Sequence, residues 1–229
     1  MTALKIRIRS TLFAFLLQLL VFTVFGQEGC QLKKDGDGIK VWLCETNNSA
    51  FKTIKVEFEA EATLKEYAAG LLDIESYKYW QHNIIEPRIL KTINEKELIY
   101  YSEVDTPWPI SNRDLIFYLK MWQDSISLVL KVSLEQLPNY LPVKDGIVRI
   151  PEAESLLTVA PINDHRVKVT YVLHVDPGGE VPAFLANMFA SQTPWQTFKN
   201  YRDRLESGNT TKIPIPFIRN YNSKGSNTQ

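Results

Sequence analysis

The sequence predicts an α+β domain: one strongly curved antiparallel sheet, a short helix near its start and one long helix at its end. Three observations carry that prediction. Short runs of alternating apolar and polar residues recur through most of the chain. Turn residues and not helices join them, which argues a meander and not a βαβ pattern. Thr63-Leu64-Lys65-Glu66 has the form of a capping box, which opens the short helix. The last apolar stretch has a helical period but large side chains on more than one side, so it has something to cover.

Residues 1–26 carry the pattern of a signal peptide. Lys5, Arg7 and Arg9 form a basic start, and residues 12–25 are apolar except for Gln18 and Thr23. Val24 and Gly26 fit the positions before a cleavage point, leaving Gln27 as the mature terminus. A retained membrane anchor is the rival reading, although a span needs about 20 apolar residues and this run is shorter. Lipidation at Cys30 is a poor match, given Gln27-Glu28-Gly29 before it. Cleavage implies export, to a periplasm or the medium. Losing the leader removes three of 26 basic residues and none of the 26 acidic ones, so the mature net charge is −3. No basic tract remains, which argues against nucleic acid as a partner.

Asp35-Gly36-Asp37-Gly38 is a turn between two short strands. A turn centred on Asp37 places Leu32 opposite Trp42 and Cys30 opposite Cys44, close enough to bond in an oxidising compartment. Two free thiols packed as small hydrophobes are the alternative. Residues 51–60 then alternate as a half-buried strand, and a helix follows over 64–72. Residues 73–83 are aromatic and irregular, with Tyr77, Tyr79 and Trp80. Further strands are expected over 84–93, 97–104, 112–122, 125–134, 154–162 and 166–175. Leu98, Tyr100, Ser102 and Val104 share one face; so do Leu115, Phe117, Leu119 and Met121, and so do Val167, Val169, Tyr171, Leu173 and Val175.

The final helix is expected over 181–206, kinked or divided by Pro194. Phe184, Met188 and Trp195 lie on one side of it, with Leu185, Phe189 and Gln192 adjoining. It either plugs a solid core or covers a cavity. Residues 207–229 read as a flexible polar C-terminal tail.

Three segments resemble the START domains, the steroidogenic acute regulatory protein-related lipid transfer family. Asp105-Thr-Pro-Trp-Pro-Ile-Ser-Asn-Arg-Asp114 resembles the turn that ends in an Arg-Asp pair before a central strand of that family. Residues 34–42 resemble its first hairpin, and Asp176-Pro-Gly-Gly-Glu-Val-Pro-Ala-Phe-Leu-Ala-Asn187 its approach to the lid helix. The resemblance covers about residues 29–206 and makes residues 27–206 a START-like lipid-binding domain. It implies a helix-grip fold, in which the curved antiparallel sheet wraps around a long C-terminal helix over a cavity for a lipid or other hydrophobic small molecule. Tyr100, Arg113, Phe117 and Leu119 are then the ligand-binding candidates from the sheet, and Phe184, Met188, Phe189 and Trp195 those from the helix.

The two sheet rows beside the Arg-Asp turn carry no charge, unlike those expected of sterol-binding members, so the ligand is left open. The family helix before the first hairpin is missing or curtailed. Gly178 and Gly179 either hinge the lid or simply make the turn into it. Arg113 either meets a polar head group or, with Asp114, ties the Trp108 loop to a neighbouring strand. Trp108 reads as a rigid loop anchor, or as a side chain that dips into a membrane during transient contact.

No G-x-S-x-G elbow and no H-E-x-x-H occur, and His82, His165 and His174 are each isolated. No catalytic residue, metal ligand set or cofactor is therefore assigned, and a monomeric, non-enzymatic carrier is expected. The alternatives are a protein-interaction module, or a cyclase- or hydrolase-type enzyme using the same cavity. Asn47-Asn-Ser and Asn209-Thr-Thr are glycosylation sequons in a host whose export route glycosylates.

Overall fold

The computed structural model describes residues 29–46, 49–179, 181–209, 211 and 213–222, without the side chain of Phe189. The expected leader, Asn47 and Glu180 lie outside them. Strands β1 (Cys30–Gly36) and β2 (Ile39–Cys44) form the first hairpin, turning at Asp37 and Gly38 with φ of 51° and 71°. Cys30 and Cys44, the only cysteines of the chain, are bonded to each other. After β3 (Thr53–Glu61) the capping box closes as expected: Glu66 N–H donates to Thr63 Oγ1 at 3.2 Å, and Thr63 N–H donates to Glu66 Oε2 at 2.8 Å. It starts α1 (Leu64–Leu72), and a 3-10 helix (Ile74–Tyr79) orders the aromatic segment.

The remaining strands are β4 (Ile84–Asn94), β5 (Glu97–Val104), β6 (Arg113–Gln123), β7 (Leu130–Gln136), β8 (Val148–Arg149), β9 (Glu152–Asn163) and β10 (Arg166–Asp176). The sheet order is β1-β2-β3-β10-β9-β7-β6-β5-β4, with β8 in a short parallel pair with β6. The antiparallel pairing of β3 with β10 joins the first strands to the last and curves the sheet around one apolar face. Two helices close it: α2 (Ala183–Phe189) and α3 (Gln192–Glu206).

Four details depart from the sequence reading. Strand β7 begins at Leu130 and not at residue 125, because the Asp124 carboxylate accepts from the Ile126 and Ser127 amides and the Ser127 hydroxyl at 2.7–3.1 Å. That side-chain turn competes with strand pairing, and Leu128 follows it at φ 58°. Strand β8 is too short for any alternation to announce. The final helix is divided at Ala190 and Ser191, before Pro194; Pro194 sits in the first turn of α3, where its missing N–H has no helical acceptor to lose. Residues 213–220, expected in a flexible tail, pack on the body. Ile215 and Ile218 are buried, and Arg219 exchanges backbone hydrogen bonds with the Gln123 side chain at 2.8 Å. The tail's polar average hides these apolar side chains between its prolines.

Candidate functional site

Alternation places odd and even residues of each strand on opposite faces. Register then connects the inward rows across the sheet. One row runs Leu98, Leu119, Leu134, Ser155, Leu173, Ile54, Leu43; the next runs Met121, Val132, Leu157, Tyr171, Val56, Val41. Tyr100 faces Phe117, Ser102 faces Leu115 and Val104 faces Arg113 on the same surface. These rows form the main core together with α1 and α3.

The concave face is filled unevenly. Around Val41, Val56, Met121, Leu130, Val159 and Val169 exposure is 0–1%. Phe198 of α3 packs there between Phe58 and Tyr171, with ring centroids 5.2 and 5.0 Å apart. Tyr201 meets Tyr67 edge to face at 5.0 Å, and its hydroxyl donates to the Tyr67 carbonyl at 2.6 Å. Gly70 permits that approach: a Cβ there would lie 2.4 Å from the Tyr201 hydroxyl. Toward α2 the face is less covered. Ile84, Val104, Leu173 and Val175 touch the core but are only partly buried.

The predicted site residues divide accordingly. Tyr100, Phe117, Leu119 and Arg113 are buried on the inward face, and Tyr100 lies against Tyr77 and Phe117 at 5.6 and 5.8 Å. Phe184 and Met188 do not join them. They point away from the sheet, 71% and 60% exposed, because a helix of only seven residues seated on the rim cannot turn every apolar side chain inward. Phe189 lies in α2, and its side chain is outside the described atoms. Trp195 sits on the first hairpin: its indole N–H donates to Gly36 O at 3.2 Å and Lys34 Nζ stands 3.8 Å from the ring. Arg202 donates to Asp37 O at 2.5 Å, so the stapled hairpin holds α3 along its length. The lid helix has its own clasp, since Asn187 accepts from Lys52 N and donates to Ala50 O, both at 3.0 Å.

Arg113 and Asp114 lie on opposite faces, as neighbours on a strand must. Asp114, fully buried on the convex side, takes two bonds from Arg149, 2.6 Å from Nε and 3.0 Å from Nη2. Arg149 Nη1 also donates to Pro138 O and Leu141 O, so this pair holds the segment before β8. Asp114 therefore ties down the segment before β8 and not the Trp108 loop, which of the pair only Arg113 touches, at Ser111. Arg113 donates to Ser111 O and reaches Gly179 at the base of the lid. Burial pulls its guanidinium below the ordinary value. Gly178 and Gly179 both have φ of 66°, and a Cβ on Gly178 would meet Pro151 at 2.8 Å, so the turn itself requires glycine.

Trp108 is no core anchor: it is 92% exposed at the tip of its loop. The Thr106 hydroxyl donates to Ser111 O at 2.6 Å and ties the loop base, while Val148 N donates to Asn112 O beside the lid turn. Exposed Trp108, Phe184 and Met188 therefore rise from two segments whose bases adjoin.

Two polar features of the interior were not expected. Ser102 and Ser155 are buried, and neither Oγ has a hydrogen-bond partner. Tyr100 and Tyr171 stand near them. Burial raises the Tyr100 phenol well above its ordinary value, and the neighbouring Tyr77 and Tyr171 phenols raise it further. Burial likewise pushes Tyr171 up to about 12; Ser155 is near enough to oppose part of that rise, though not at hydrogen-bonding geometry. A lone serine in an apolar inward row was the available signal for Ser155. Two surface clefts lie elsewhere, one of about 370 Å³ between α1 and the docked tail, the other of about 400 Å³ beside Arg202 and the first hairpin turn. Among the described residues no cluster of three metal-ligating side chains occurs, and no helix is long and apolar enough to cross a membrane.

The START domain family model matches residues 40–210. An uncharacterized protein of Pseudomonas aeruginosa is 30% identical over 189 residues, covering 81% of this chain and 93% of its own length. The phosphatidylcholine transfer protein of Rattus norvegicus is 23% identical over 169 residues, 70% of this chain and 76% of that one. Among solved structures, the STAR-related lipid transfer protein fragment of Xanthomonas axonopodis superposes with a TM-score of 0.72 at 32% identity. The match covers 78% of this chain and 99% of that one.

Proposed function

The chain belongs to the START domain family, and from that premise we propose that it binds a hydrophobic ligand, a lipid, against the concave face beneath α2 and α3. The observation that carries this reading is the uneven filling of that face. A purely structural core is sealed throughout, whereas here the apolar wall at Leu173, Val175, Val104 and Ile84 stays partly uncovered under the lid. Relatives named for lipid transfer support the same reading. Burying one CH₂ gains about 0.8 kcal/mol, so a chain of about 16 carbons moved through bare water costs on the order of 13 kcal/mol. A carrier removes that cost by enclosing the chain. Arg113, buried beside Gly179 at the lid base, is placed to meet the ligand's polar head.

Transfer requires the lid end to touch a membrane. Trp108, Phe184 and Met188 offer apolar area there, which suits brief insertion at an interface. The disulfide of the first hairpin fits an exported, oxidising setting. This reading assigns no catalytic residue.

Native mass spectrometry of the protein, purified without detergent from an exporting host and then incubated with lipid vesicles, tests it. Adducts of discrete lipid mass are expected. A bare protein mass both before and after incubation overturns the reading.

A further inference from the structure

The concave face carries two buried hydroxyls with nothing to bond. Ser155 is the only polar member of the row Leu98, Leu119, Leu134, Ser155, Leu173, Ile54, Leu43, and it is 7% exposed. Ser102, 2% exposed, lies on the inward row of β5, two residues from Tyr100. Neither Oγ meets a partner. Among the described residues, the other two buried polar atoms in that condition lie elsewhere: Tyr67 Oη between α1 and α3, and His174 Nδ1 on a strand position facing out.

Native interiors rarely leave such groups unpaired, because each forfeits its bonds to water on burial. A structural serine would bond a backbone carbonyl or a neighbour. Ser155 neighbours Tyr171, the Tyr171 and Tyr100 phenols influence each other, and Ser102 is the next inward residue after Tyr100, so the four form a line across the inward face. Resting on the carrier reading above, we infer that Ser102 and Ser155, with Tyr100 and Tyr171, form a hydrogen-bonding strip for a neutral oxygen group of the ligand. An ester carbonyl or a hydroxyl set within its apolar body has that chemistry. All four side chains are uncharged, and the inward positions Leu98, Leu115, Leu119 and Leu134 around them are apolar. Arg113, the next inward residue beyond Leu115, serves a polar head at the lid base; within the strip itself a charge would find no counter-ion, and its desolvation would go uncompensated.

The test uses three probes of one chain length: hexadecane, hexadecanol and methyl palmitate. Their retention is measured on the exported protein and on its Ser102→Ala and Ser155→Ala variants. Each substitution is expected to weaken retention of the alcohol or the ester about fivefold to tenfold, the size of one lost hydrogen bond, and to leave hexadecane unchanged. A loss confined to the ester marks a serine that donates a hydrogen bond, and a larger loss for the alcohol marks one that also accepts. Because the serines are unpaired in the fold, thermal stability of the ligand-free variants is expected to match or exceed that of the parent. Equal loss for all three probes, no loss for any, or a marked fall in ligand-free stability overturns the inference and leaves the carrier reading standing. Failure of the parent protein to retain any of the three overturns both.

Discussion

At one end of the concave face, α3 meets the sheet with Phe198, Tyr201 and Leu205, all buried, and rests on a disulfide-stapled hairpin. At the other end, α2 spans only seven residues, turns Phe184 and Met188 to solvent and is clasped by the single side chain of Asn187. The same sheet underlies both. The difference lies in how much apolar area each helix returns to it, and free energy follows area. A fully closed face would hold a ligand and never release it; a fully open one could not remain folded. On the carrier reading, the α3 end supplies stability and the α2 end access.

The largest test of that division compares two phenylalanines of the C-terminal helices. Phe198→Ala is expected to cost about 3–5 kcal/mol in urea unfolding, as for other buried aromatic truncations. Phe184→Ala should stay within about 0.5 kcal/mol, as for an exposed site, while slowing ligand exchange with vesicles. Equal costs at the two sites would erase the contrast. Gly70→Ala comes next. The added methyl meets a Tyr201 side chain that is itself buried, so a loss of about 1–3 kcal/mol is expected. Ligand retention should fall less than stability if α3 is a support and not a gate. The last test is Asn187→Ala, which removes two partly exposed hydrogen bonds worth together about 1–2 kcal/mol. Its signature is local: hydrogen exchange of residues 183–189 should quicken while the midpoint of global unfolding moves little. A global shift of the Phe198→Ala size would show that the lid belongs to the cooperative core.

Much of the fold was legible because strand alternation reports burial directly. Leu98, Tyr100, Ser102 and Val104, and Leu115, Phe117, Leu119 and Met121, do share the inward face, and the Thr63–Glu66 capping box forms as read. Of the candidate site residues, those on the sheet share one buried inward face as the alternation predicts. Helical spacing groups Phe184, Met188 and Trp195 on one side, but the break at Ala190 and Ser191 rotates the two segments independently and sends them to different surroundings. Isolated signals such as the Asp105–Asp114 turn could not say which partners Arg113 and Asp114 meet on their opposite faces.

The sequence by itself determined the alternating rows, the capped helix, the cysteine hairpin and the motifs of the family, since each depends on residues near one another along the chain. Only the tertiary structure decided which apolar side chains are sealed, that Arg149 answers Asp114 and that the buried Ser102 and Ser155 hydroxyls stand unpaired. Those outcomes depend on strands brought together from distant parts of the chain, where the energy of a group is set by what surrounds it and not by its neighbours in sequence.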